Sequence, residues 1–273
     1  MIPAAVPMPQ LSARHGGAFE TSHFCGIGEV SNALRQPQSP AIPPISETGT
    51  AYAINYFTLG VAPYLPCSTG RGGARNRADR ESHALIPANI RNLVSAARHS
   101  EAVGLPLNRM ITIHWQAAGV PLASMTKATG RFLDLLTKWL ARRGCRTAWL
   151  WTHENGDHKG GHCHLLAHVP ADLVKPLTGQ QRGWLGQITG KRYLARVILS
   201  KPIGGRLGLE TGNPDLHAIN LEVALAYVLK GASPEAASQF ALKRLEPGGR
   251  VIGKRCGTSQ NIGAKARKAR DLK

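Results

Sequence analysis

Five of the eleven histidines (His153, His158, His162, His164 and His168) fall within sixteen residues of one another. On a β-strand, side chains two residues apart share a face. His162 and His164 can therefore converge on one ion while Cys163 and Leu165 turn into the core. Glu154 stands eight residues upstream of His162, and the polar, glycine-containing stretch 155–161 between them reads as the loop of a β-hairpin. Within such a hairpin the Glu154 carboxylate reaches the histidine face. Two imidazoles and a carboxylate with open coordination positions suit a divalent cation that must also hold a phosphate oxygen. The bland alternative is a solvated strand face with one histidine paired to Glu154. His153 alternates to the opposite face, His158 lies in the loop and His168 lies further along, so all three rank below Glu154 as ligands.

Cleavage of a phosphodiester also needs a nucleophile, and Tyr227 is the candidate, with Lys230 three residues on. In the segment NLEVALAYVLKGA, Asn220, Val223, Tyr227 and Lys230 fall on one helical face beside an apolar stripe of Leu221, Leu225 and Val228. A tyrosine that attacks phosphorus forms a phosphotyrosine and conserves the bond for rejoining. A neighbouring lysine can assist ionisation of the phenol or neutralise the five-coordinate phosphate. An amphipathic interface tyrosine beside a snorkelling lysine is the ordinary alternative.

Several elements must position these groups. The spacing predicts helices over 89–103 and 124–143, the latter with Phe132, Leu135, Leu136, Trp139 and Leu140 on one face. Strands are expected at 109–115 and 195–199, and two more flank the hairpin loop. Further helices are expected at 218–230 and 234–245, then a short terminal hairpin and a basic helix. Adjacent hairpin strands combined with helices favour an α+β fold, a central antiparallel sheet of about five strands with helices packed on it. Residues 1–84, rich in Pro, Gly and Ser, read as a largely disordered arm, 85–245 as the folded domain and 246–273 as a basic extension.

The net charge is +18, from 34 Lys and Arg against 16 Asp and Glu, and a chain this basic attracts polyanions. Arg109, Thr112, Arg255, Lys265, Arg267 and Lys268 are the expected DNA contacts. The five cysteines are scattered, with no CxxC pair, which points away from a disulfide framework and towards the cytoplasm. The most apolar stretch, 51–66, is shorter than the ~20 residues of a membrane span, so no membrane partner is expected. GQITGKR (186–192) lacks the spacing of a phosphate-binding loop, which argues against a nucleotide cofactor.

Three motifs occur in order: MITIHW (110–115), HCHLL (162–166) and YVLKG (227–231). Together they resemble the nuclease domain of rolling-circle replication initiators in the HUH endonuclease superfamily, over roughly residues 107–232. The resemblance implies a sheet carrying the histidines, a Mg²⁺ or Mn²⁺ ion at His162 and His164, and Tyr227 as the nucleophile; Glu154 joins the ligands by hairpin parity, since the acidic position varies in this family. It further implies nicking that leaves a free 3′-hydroxyl and a 5′-phosphotyrosine on a single-stranded or hairpin origin of a plasmid or phage. A host helicase and replication machinery would then be partners. The tyrosine follows the histidines, as in replication initiators and small HUH transposases; conjugative relaxases have the reverse order. Two alternatives stand: an HUH transposase, or a non-catalytic basic nucleic-acid-binding protein whose hairpin holds a structural zinc.

Overall fold

A computed structural model describes residues 79–157, 159–204 and 213–271. The elements in chain order are β1 (Glu81–Ser82), α1 (Pro87–Ala102), β2 (Arg109–Ile113), α2 (Met125–Ala141), β3 (Trp149–Gly156), β4 (Gly160–Ala167), α3 (Val174–Thr189), β5 (Ile198–Pro202), α4 (Pro214–Val228), α5 (Pro234–Gln239), β6 (Val251–Ile252), β7 (Cys256–Thr258) and α6 (Ala264–Asp271). This is an α+β fold. Its main sheet has five antiparallel strands in the order β5-β2-β4-β3-β7, and β1 pairs separately with β6.

The histidine strand β4 is central, and its alternation sorts two cores. Cys163, Leu165 and Ala167 face α2 and α3, in a cluster with Ile111, Ile113, Phe132, Leu136, Trp139 and Trp184. On the other face, Leu150 and Leu166 join Ile90, Leu93, Leu221, Val228 and Leu229 beneath α1 and α4. His162 and His164 share this second face with Leu166, so the apolar pattern of one strand aims both imidazoles towards α4.

The expected helices and strands at 89–103, 109–115 and 124–143 are present with small shifts of their ends. Helix α1 starts at Pro87, where Asn89 Oδ1 accepts a hydrogen bond from the Ile86 amide. Four expectations change. Strand β5 begins at Ile198, because Arg196 adopts a positive φ and the pairing with β2 sets the register. Helix α5 stops at Gln239, and the chain turns back at Ala241, also at positive φ. Helix α3 occupies a stretch for which no element was expected; Trp184 packs edge-on against Phe132 and Trp139 and holds together a helix of weak formers. The terminal strands β6 and β7 pair with β1 and β3, not with each other, so the described residues from 246 to 271 supply strands of the domain and are no mere extension. Gly257 is required in β7, since a Cβ there would meet Trp151 Nε1 at 2.9 Å.

The expected arm falls outside the described residues up to residue 78, and His158 also lies outside them.

Candidate functional site

Strand pairing assembles the site. Glu154 on β3 lies directly opposite His162 on β4, and His164 is flanked by Thr112 on β2 and Thr152 on β3. One donor atom each from Glu154, His162 and His164 lies within 4.8 Å of the others, and all three side chains are buried. The Nε2 atoms of His162 and His164 lie 3.2 and 3.6 Å from Glu154 Oε2; the second distance is too long for a hydrogen bond.

The outer ring nitrogens are held by the strands. His162 Nδ1 donates to the Gly160 carbonyl at 2.8 Å, and His164 Nδ1 lies 3.0 Å from Thr112 Oγ1. Both Nε2 atoms face the Glu154 carboxylate, beside the Lys230 ammonium on Oε2. A neutral imidazole with its proton on Nδ1 presents the Nε2 lone pair, so the three side chains make up the donor set of a cation site. His164 Nε2 and Glu154 Oε1 are buried without a hydrogen-bond partner among the described residues. These orphaned atoms and the donor chemistry fit a divalent ion with two imidazoles and a carboxylate, completed by a peptide-carbonyl and hydroxyl shell that orients the rings.

The electrostatics agree. Burial would raise the Glu154 carboxyl, but its contacts with His162, His164 and Lys230 outweigh burial and hold it well below the usual carboxylate range. Burial pushes the His164 imidazole down against the opposing pull of Glu154, which keeps it neutral and able to ligate.

Helix α4 brings Tyr227 to this centre. Asn213 caps its start by accepting from the Leu216 amide, and Thr152 Oγ1 donates to the Val228 carbonyl at 3.1 Å, tying its end to the sheet. The Tyr227 ring stands edge-on to His164, with centroids 5.0 Å apart. Lys230 follows just past the helix end at Val228, and its ammonium lies 5.4 Å from the Tyr227 ring centroid. It is 4% exposed, and its ammonium is ion-paired with Glu154 Oε2 and, at 3.0 Å, with Glu246 Oε2.

Three residues at the site escaped sequence reading. His114 stands with its ring 5.6 Å from that of His162. Glu246 holds Lys230, and Arg244 is bound to Glu246 with its guanidinium carbon 5.0 Å from the Tyr227 ring centroid. His114 follows the strand parity that selected Glu154 and could have been found that way. Arg244 and Glu246 sit on a loop whose path no local pattern encodes.

The expected DNA contacts separate into two groups. Lys265 and Lys268 are exposed on α6. Thr112 instead orients His164, and Arg109 is half-buried with Nη2 3.1 Å from Ser200 Oγ. Arg267 ties α6 to α1 through Asn92 Oδ1 at 2.7 Å. Arg255 is a correction: it is buried, and its guanidinium donates to Ser82 Oγ and to the carbonyls of Ser82, His153, Gly248 and Gly249. Burial pushes its pKa down to about 10, and it serves as an internal staple with no donor offered to a phosphate backbone. Of the lower-ranked histidines, His153 bonds Thr129 Oγ1 and the Lys254 carbonyl on the opposite face, and His168 bonds the Pro106 carbonyl.

No protein-family model, curated protein or solved structure matches the chain.

Among the described residues, no helix is long and apolar enough to cross a membrane.

Proposed function

We propose that this chain is a metal-dependent HUH-class endonuclease that nicks and rejoins one DNA strand through a 5′-phosphotyrosine, initiating rolling-circle replication of a plasmid or phage. One observation carries the reading: the Tyr227 ring packs on His164, so a potential nucleophile borders a ready-made ion site although the two lie on elements remote in sequence. A central antiparallel sheet with the histidine strand in the middle and the tyrosine helix across it is also what an HUH nuclease fold requires.

In the reaction, the Tyr227 hydroxyl loses its proton to water and its oxygen attacks phosphorus. The P–O3′ bond breaks, the 3′ oxygen takes the electron pair and a proton from water, and the 5′ phosphate remains on the tyrosine. The number of phosphate ester bonds is unchanged, so the reverse attack reseals the strand without ATP. Mg²⁺ or Mn²⁺ held by Glu154, His162 and His164 would supply Lewis-acid polarisation of the scissile phosphate. Both Tyr227 and the ion site must reach one phosphate, which favours a single-stranded or extruded hairpin origin opened by a host helicase.

Incubating the full chain with a labelled pool of single-stranded DNA and Mn²⁺ tests this directly. A covalent protein–DNA band should survive denaturing electrophoresis in wild type, and should vanish in Tyr227→Phe or with EDTA. Equal absence of the band from wild type and Tyr227→Phe across the pool would remove the nickase reading. The burial of all three ligands also favours a structural zinc in a non-catalytic DNA-binding protein. In that case chelation would lower the melting temperature sharply, whereas a nickase should keep its fold and lose activity.

A further inference from the structure

The pairing of charges around Tyr227 divides the work between its two cationic neighbours differently from a simple tyrosine–lysine motif. Lys230 is enclosed, and its single positive charge already meets two carboxylates, Glu154 and Glu246. It has neither the solvent access nor the unspent charge to receive an incoming anion. Arg244 has both. Its side chain is 54% exposed, and its guanidinium lies over the Tyr227 ring. Two of its nitrogens, Nε and Nη2, converge on one oxygen, Glu246 Oε1, and Nη1 makes no hydrogen bond among the described residues.

The loop that presents Arg244 is anchored at several points. The Glu246 amide donates to the Lys230 carbonyl at 2.9 Å, and the Asn155 amide donates to the Gly248 carbonyl at 2.9 Å. Gly231 and Gly248 pass so closely that a Cβ on Gly231 would come 3.3 Å from the Gly248 Cα. The loop is therefore fastened to both the end of α4 and the end of β3, the two elements that carry Tyr227 and Glu154. A rigid mount of this kind lets a cation stabilise charge that develops in a transition state without reorganising first.

We propose that Arg244 is the residue that grips the scissile phosphodiester at Tyr227, while Lys230 is a positioning residue that holds Glu154 in place. This rests on the nickase reading and adds to it a specific phosphate contact. Two carboxylates and two cations cancel within the cluster, so the divalent ion is balanced by the incoming phosphodiester and the attacking phenolate. The planar guanidinium, with Nη1 open, can donate to a non-bridging oxygen without releasing Glu246.

The test compares wild type, Arg244→Ala, Arg244→Lys, Lys230→Gln and Tyr227→Phe as full chains, using a single-stranded DNA pool and Mn²⁺. Rates of adduct formation are measured beside Mn²⁺ affinity by calorimetry and melting temperature. Arg244→Ala should lower the adduct rate about 100-fold while leaving Mn²⁺ affinity and melting unchanged, and Arg244→Lys should restore part of the rate. Lys230→Gln should alter Mn²⁺ affinity, because it frees the Glu154 carboxylate. An Arg244→Ala rate within twofold of wild type would overturn the proposal and leave the nickase intact. So would an Arg244→Ala loss of Mn²⁺ affinity or melting temperature matching the loss of rate, since the arginine would then be structural. No adduct from wild type or Tyr227→Phe would remove the nickase reading, and this proposal with it.

Discussion

A neutral His164 can ligate through Nε2 only while its proton sits on Nδ1, and Thr112 Oγ1, 3.0 Å from Nδ1, can accept that proton's hydrogen bond. The threonine was expected to touch DNA; strand register instead sets it directly across from His164 on β2. A hydroxyl that fixes a ligand's tautomer and ring angle typically contributes 10–100-fold to metal affinity. Thr112→Val keeps the shape and removes the oxygen. It should therefore weaken Mn²⁺ binding about 10-fold by calorimetry, with single-stranded DNA binding in EDTA unchanged. A loss of DNA binding with intact Mn²⁺ affinity would return Thr112 to the role the sequence implied. Strand parity alone located Glu154, since the hairpin alternation leaves its carboxylate one choice of face. Parity could not reveal that Lys230 is consumed by two carboxylates, because one of them, Glu246, arrives on a loop from beyond α5.

At the scale of elements, what could be read in the sequence followed from period and what could not followed from partners. Helix α2 and the β3–β4 hairpin carry strong local patterns and formed where expected. Helix α3 contains Pro176, Gly179, Gly183 and Gly186, so its existence depends on the tertiary contacts of Leu177, Trp184 and Leu185. The segment after Leu245 looks like a charged tail by composition, yet it supplies edge strand β7, the Arg255 staple and the buried side chains Val251, Cys256 and Ile262. Removing it exposes β3, which carries Glu154, along a full unpaired edge. A chain ending at Leu245 should thus lose cooperative thermal melting by circular dichroism. A chain ending at Gly263, lacking only α6, should still melt cooperatively. Cooperative melting of the shorter chain near the wild-type temperature would show that residues 246–273 are dispensable after all.

For the molecule as a whole, the histidine cluster that builds the site also sets the response to acid. His153 is fully enclosed on the face away from the ion site, and burial holds its pKa down at about 3, with the Lys254 carbonyl opposing only in part. An unfolded histidine protonates near its ordinary value of about 6.5. Between these two values the unfolded chain binds a proton that the folded chain refuses, so stability falls as pH drops through the window. Each unit at full effect is worth ~1.4 kcal/mol, and the step from pH 7 to pH 5 should cost about 2 kcal/mol through His153 alone. Burial also depresses His114, His164 and His168, so the wild-type loss is larger than this single share. The depressed Glu154 carboxyl acts in the same direction but only at lower pH, below the ordinary carboxylate range. A difference measurement isolates His153: urea unfolding of wild type and His153→Gln at pH 7 and pH 5, both in EDTA so that no ion contributes. The variant should start less stable, having lost its bonds to Thr129 and Lys254, but should lose about 2 kcal/mol less on acidification. Parallel losses in the two proteins would mean that His153 takes up its proton inside the fold, and that the core behind the histidine strand admits charge.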